Sequence, residues 1–145
     1  MTRPLHLVLA IILAGTAISV SAAPAQQPKP SEVEWVYHVR YGFIDEWWRL
    51  FRKYQIATLD EQKRRGEVLR YTVYQPEMHA GEDTRWDYRL IVVYRDRDAA
   101  SLEEDAAKAI FPDTAARHRD ENRRWELTIN HWDLPIHEVD PHAPD

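Results

Sequence analysis

The chain has 145 residues, a formal net charge of −5 and no cysteine. The acidic balance argues against a nucleic-acid partner, which would need a basic face. The missing thiols exclude disulfides and thiolate chemistry, and the length suits one domain behind a leader.

The N-terminus reads as a secretory signal peptide. Leu7 to Val20 is an uncharged apolar run, preceded by Arg3 and followed by the small residues "SVSAA". The run is short for a membrane span. Cleavage after Ala22 fits best, which places the remainder in the periplasm or outside the cell with no membrane attachment. An uncleaved N-terminal anchor is the competing reading. Residues 23–32, rich in proline through "PAQQPKPS", read as a flexible leader. Residues 33–135 read as the folded domain, and the proline-rich, acidic residues 136–145 as a tail.

Within the domain the hydrophobic period changes in order. Val33, Trp35, Tyr37, Val39 and Tyr41 alternate with Glu34, Val36, His38 and Arg40, which predicts a strand ended by Gly42. Ile44, Trp47, Phe51, Tyr54 and Thr58 then step by three and four, the stripe of an amphipathic helix. Gly66, after the basic turn Lys63, Arg64 and Arg65, is placed to end it. A second strand sets Leu69, Tyr71 and Val73 against Arg70, Thr72 and Tyr74, with Pro76 as the stop. After the polar loop "PEMHAGEDT", a third strand sets Trp86, Tyr88, Leu90, Val92 and Tyr94 against Asp87, Arg89, Ile91, Val93 and Arg95.

Ala99, Leu102, Ala106 and Ala109 predict a second helix, with Ser101 and Glu104 as a capping box and Pro112 beyond its end. "DTAARHRDENRR" reads as a polar helical connector with little to bury. A last strand sets Trp125, Leu127, Ile129 and His131 against Glu126, Thr128, Asn130 and Trp132.

The order βαββαβ predicts an α+β, ferredoxin-like domain: a four-stranded antiparallel sheet with helices over one face. The other face would be bare and mixed. Val36, Tyr74, Ile91, Val93 and Trp132 would form an apolar patch that needs a cover.

With its aromatic first strand "EWVYHVRYG" running into a long helix, "GEVLRYTVY" after that helix, and "WDYRLIVVYRDRDAA" leading into an alanine-rich helix, the chain resembles the dimeric α/β-barrel superfamily. The resemblance implies a homodimer in which two sheets pack bare face to bare face around a lumen. Such families include cofactor-independent monooxygenases and haem-degrading enzymes.

On this footing His38 is the candidate catalytic base or anchor. Arg70 and Arg89 would hold an anion, and Tyr74, Asn130 and Trp132 would complete a site for a small organic ligand. Cofactor-independent oxygenation or isomerisation fits such a site, with no cofactor required. Two alternatives stand beside it: a non-enzymatic dimer with a filled lumen, and a haem-binding protein using the helical His118. His131 falls on the covered row and reads as a core histidine. His79, Glu82 and Asp83 in the loop, and His137, Glu138, Asp140 and His142 in the tail, lack metal-ligand spacing. No nucleophile motif or phosphate-binding glycine loop is present, so the motifs do not decide between binding and catalysis.

Overall fold

The computed structural model describes residues 29–78 and 80–143. The signal-peptide segment, most of the leader and His79 lie outside them. Four strands form one sheet: β1 (Ser31–Val39), β2 (Val68–Tyr74), β3 (Tyr88–Tyr94) and β4 (Thr128–Ile136). Their order is β2-β3-β1-β4, and every neighbouring pair is antiparallel. This is the ferredoxin-like arrangement expected from the order of elements.

The first crossover is one long helical segment in three parts: α1 (Ile44–Phe51), a π-helical turn (Arg52–Ile56) and α2 (Ala57–Arg64). Gly66 ends it at φ +74, a conformation in which a side chain is strained. The second crossover is longer than the sequence pattern shows. A 3₁₀ turn (Asp98–Leu102) leads into α3 (Glu103–Ile110), and α4 (Thr114–Glu126) is a full 13-residue helix. The helices cover one face of the sheet. Trp35, Tyr37, Val39, Leu90, Val92 and Tyr94 meet Trp47, Phe51, Leu59 and Leu127 in the core.

Several local expectations are corrected. Strand β1 starts two residues early, at Ser31, and ends at Val39. Tyr41 therefore falls in the turn and is exposed, and Arg40 is off the strand. Trp125 and Glu126 belong to α4, whose hydrogen bonding runs on to the Leu127 cap. Two register shifts exchange side chains between faces, because one extra residue reverses the alternation. The shift between Val68 and Arg70 buries Val68 and leaves Leu69 exposed. The shift between His38 and Val39 pairs Val39 with Thr128. Thr128 thereby turns to the helix side, where its Oγ1 accepts the Trp47 Nε1–H at 2.9 Å, and Ile129 becomes solvent-exposed.

At the start of β3, Asp87 is not on the bare face. It is buried before the strand, with Oδ2 accepting the Val39 N–H at 2.7 Å. Trp86 swings to the bare side and lies beneath the Arg89 guanidinium. The capping box does not form either. Ser101 Oγ donates to the Asp98 carbonyl, while Asp96 Oδ1 takes the Ala99 N–H and Asp113 caps α4 through the Ala116 N–H.

The bulge gives the fold its first test. Thr128→Val keeps the shape of the side chain but leaves the buried Trp47 N–H without an acceptor, so urea unfolding should show a loss of about 1–3 kcal/mol. Ile129→Thr, at the exposed bulge residue, should change stability by no more than about 0.5 kcal/mol.

Candidate functional site

The bare face carries all six residues singled out from sequence, but not as one cluster. His38 pairs in register with Asn130 near one end of the sheet, and Arg70 sits beside Val93 and Glu32 near the other. Six residues of β1 separate those positions, about 20 Å.

Most of the charges on this face are engaged with each other. Arg70 reaches Glu32 at 3.3 Å across Val93, which is buried beneath the pair. Arg89 Nε lies 3.2 Å from Glu34 Oε1 without an aligned hydrogen bond, and its guanidinium packs 4.6 Å over the Trp86 ring. His38 is buried. Its Nε2 accepts from Arg85 Nε at 2.9 Å, and Glu82 Oε1 stands 3.2 Å away. Arg85 also donates to the Val39 carbonyl at 2.6 Å and lies under Tyr41. The β2–β3 loop thus folds over the histidine and occupies Nε2, the nitrogen a base would use. Tyr74 and Arg89 share a cleft of about 390 Å³ with Trp86 and Ile91. Trp132 lies half-buried opposite Val36, and the exposed Asn130 turns its Oδ1 back onto the His131 N–H.

The helix side holds a second cleft, of about 450 Å³, between the sheet and α4. Strands supply Trp35, Tyr37, Tyr94, His131 and Asp133; the π turn supplies Gln55; α3 and α4 supply Glu103, Arg117, Glu121, Arg124 and Trp125. Each is placed by a definite feature. Arg117 and Arg124 are seven residues apart, so they share one face of α4, and both are buried. His131 faces the helices because it pairs in register with the inward-facing Tyr37, and the two rings stack at 4.3 Å.

Polar contacts in this cleft are unequal. Arg117 is fully engaged on its outer nitrogens, by Glu104 at 2.7 and 2.9 Å and by Glu121 at 3.1 Å. Arg124 has one hydrogen bond, from Nη1 to Gln55 Oε1 at 3.3 Å. The same amide donates its Nε2–H to Glu103 at 2.7 Å. His131 Nδ1 lies 3.2 Å from the Val36 carbonyl and Nε2 lies 3.2 Å from Asp133 Oδ1. Among the described residues neither the Tyr37 nor the Tyr94 hydroxyl has a hydrogen-bond partner. Burial raises both phenols well above their ordinary range, and Asp133 and Glu103 push the same way, while Arg124 partly offsets the effect on Tyr37. Burial lowers the affinity of Arg124 for its proton.

Sequence reasoning passed over this cleft. It assigned Tyr37, Tyr94 and His131 to the core row and the two arginines to a solvated connector. The available signal was the seven-residue spacing of Arg117 and Arg124, with Glu121 four residues from Arg117.

No protein-family model matches the chain, and no curated protein matches it by sequence. Solved structures do resemble it in fold. PA3566 from Pseudomonas aeruginosa is 15% identical, with a TM-score of 0.55 over 80% of this chain and 100% of that one. A candidate antibiotic biosynthesis monooxygenase from Nitrosomonas europaea is 12% identical, with a TM-score of 0.52 over 82% and 99%. A dimeric ferredoxin-like protein from an uncultured marine organism is 5% identical, with a TM-score of 0.51 over 81% and 97%. At these identities the likeness establishes the fold, an α+β ferredoxin-like domain.

The buried phenols give a pH signature. Their folded-state pKa values are raised, so the stability they contribute is complete below the unfolded value of about 10 and is lost as pH rises above it. Unfolding free energy should fall between pH 9.5 and 11.5 in denaturant titrations. Tyr37→Phe should flatten that fall; an unchanged slope would place the sensitive groups elsewhere.

Proposed function

We propose that the protein is an exported homodimer that closes its bare sheet faces against each other and binds a small organic molecule in the cleft between sheet and helices. The contrast between the two faces carries this reading. Polar groups on the sheet's bare face are largely paired within the chain. The apolar patch there is smaller than expected from sequence, since Val36 and Val93 are buried within the chain, while Ile91, Trp132 and Leu134 remain wholly or partly exposed. Such a surface suits a partner with the same pattern. Polar groups in the cleft are left open toward space large enough for a ligand. The dimeric description of the marine fold relative supports the same assembly. The sequence pattern of residues 1–22 supports export.

The chemistry open to this cleft is proton transfer. His131 is the imidazole among the described lining residues, and Tyr37 stacks on its ring. Its Nδ1 lies 3.2 Å from the Val36 carbonyl, and its Nε2 lies 3.2 Å from the exposed Asp133 carboxylate, with which it would exchange a proton. Isomerisation, or cofactor-independent oxygenation of a substrate with an acidic C–H or phenol, needs such a group. The candidate monooxygenase among the fold relatives makes oxygenation the first reaction to assay.

A second reading keeps the ligand in the lumen between the sheets. It is favoured by the cleft at Tyr74, Arg89, Trp86 and Ile91, where Arg89 Nε is buried without an aligned acceptor. Arg70, Asn130 and Trp132 would then line the same lumen, with His38 beneath the β2–β3 loop at its end.

Light scattering and native mass spectrometry test both parts. The exported form should have twice the subunit mass and retain a small molecule. Ile91→Glu, which puts a charge on the bare face, should yield monomer. Tyr37→Phe with Tyr94→Phe should release the retained molecule without changing the subunit number. Loss of the molecule from Arg89→Ala but not from the tyrosine pair would move the site to the lumen. A wild-type monomer would refute the assembly.

A further inference from the structure

We infer that the cleft between sheet and helices is a receptor for a monocarboxylate with an apolar or aromatic body, anchored on Arg124. This inference rests on reading that cleft as the ligand site and names the class of ligand.

The two buried arginines of α4 make the argument. Both are taken out of water, and a desolvated guanidinium needs compensation. Arg117 has it, from Glu104 and Glu121. Arg124 is 6% exposed and forms no ion pair among the described residues; its hydrogen-bond partner is the neutral amide of Gln55. The nearby carboxylates are already committed, Glu121 to Arg117 and Glu103 to the other end of the same amide. Gln55 therefore fixes the guanidinium while leaving most of its donors free.

The rings around Arg124 do not use those donors. Its guanidinium carbon lies 5.3 Å from the Phe51 ring centre and 5.2 Å from that of Trp125. Cation–π contacts engage the face of a guanidinium and leave its edge available. A guanidinium edge is a fork of parallel N–H groups, and its match is a carboxylate. The Tyr37 and Tyr94 hydroxyls open on the same space as two further donors. Trp35 and Trp125 offer apolar walls for the rest of the molecule. Glu103, Glu104, Glu121 and Asp133 also line the cleft, and this acidic lining disfavours a multiply charged anion such as phosphate.

The test uses benzoate, its uncharged isostere benzamide, and inorganic phosphate. Each is titrated into the full exported chain, and tryptophan indole N–H and arginine Nε–H signals are followed by NMR. Benzoate should shift the Trp125 and Arg124 signals saturably and bind at least about tenfold more tightly than benzamide, the scale of one charge-assisted contact. Arg124→Met should remove that preference. Arg124→Lys keeps the charge without the fork and should retain part of it, which decides the matter should the methionine variant fail to fold. Equal binding of benzamide, or an unchanged benzoate affinity in both variants, would overturn the anionic class while leaving the cleft as the site. Tighter binding of phosphate than of benzoate would overturn the monocarboxylate. No shift at the cleft with any probe would overturn both this inference and the reading of the cleft on which it rests.

Discussion

The structure depends on the stack of rings around Trp47. That side chain is fully buried, parallel to Phe51 at 4.7 Å and to Tyr88 at 5.1 Å, with Tyr37 tilted against it at 4.9 Å. Tyr37 comes from β1 and Tyr88 from β3, so one tryptophan fixes α1 over the two central strands. Each such pair contributes about 0.5–1.5 kcal/mol beyond its buried area. The indole N–H also needs an acceptor, and Thr128 supplies it from β4. The edge strand is thereby held in the register that turns Thr128 inward. His131, three residues on, then stacks on the far side of the ring system. The candidate cleft is a continuation of the core, reached where the rings give way to polar tips.

That continuity explains why the two sides of the sheet treat polar groups differently. On the bare face, strands alternate freely and charged side chains can lean across neighbours, so Arg70 finds Glu32 and Arg85 finds His38. On the covered face, each group's position is dictated by packing. Tyr37 and Tyr94 are held by their rings, and their hydroxyls lie where the rings put them. Arg124 is held by its place on α4 and by Phe51. A packed scaffold that aims donors into a cleft without pairing them is pre-organised for a ligand. A face whose charges pair internally is prepared for contact with a surface like itself.

The fold was legible because its evidence is periodic. Alternating rows in β1, β2 and β3, and the three-and-four stripe from Ile44 to Thr58, depend on many residues each. An error at one position does not change the element. The faces of β1 and β3 followed directly: Trp35, Tyr37, Leu90 and Val92 inside, and Val36, Arg89 and Ile91 on the bare side. Irregularities were not legible. A bulge is one residue of extra backbone, here Ile129 opposite the step from His38 to Val39, and nothing in the local composition "LTINH" announces it; it is what lets Thr128 accept from the distant Trp47. Likewise α4 buries little apolar surface, so a hydrophobic pattern cannot find it. What it buries is Arg117 and Arg124, whose burial is tolerable because of Glu104, Glu121 and Gln55, residues distant in sequence or on another turn.

The π turn shows how closely irregularity and site are linked. Each residue advances a helix by about 100°, so one extra residue in a turn rotates everything beyond it by that amount. Trp47 and Phe51 lie before the turn, Leu59 and Gln62 after it, and all four are buried against the sheet and α3 side of the domain. Gln55 lies within the turn. Its amide is the link between Arg124 and Glu103. A regular helix could keep the early rings in the core or the later leucine there, but the phase that serves both is set by the extra residue. The same residue directs the amide toward α4. The bulge at Ile129 of β4 does the equivalent on the sheet, turning Thr128 to the covered side that His131 and Asp133 share. The core is built where the elements are regular, and the cleft lies between the two places where they are not.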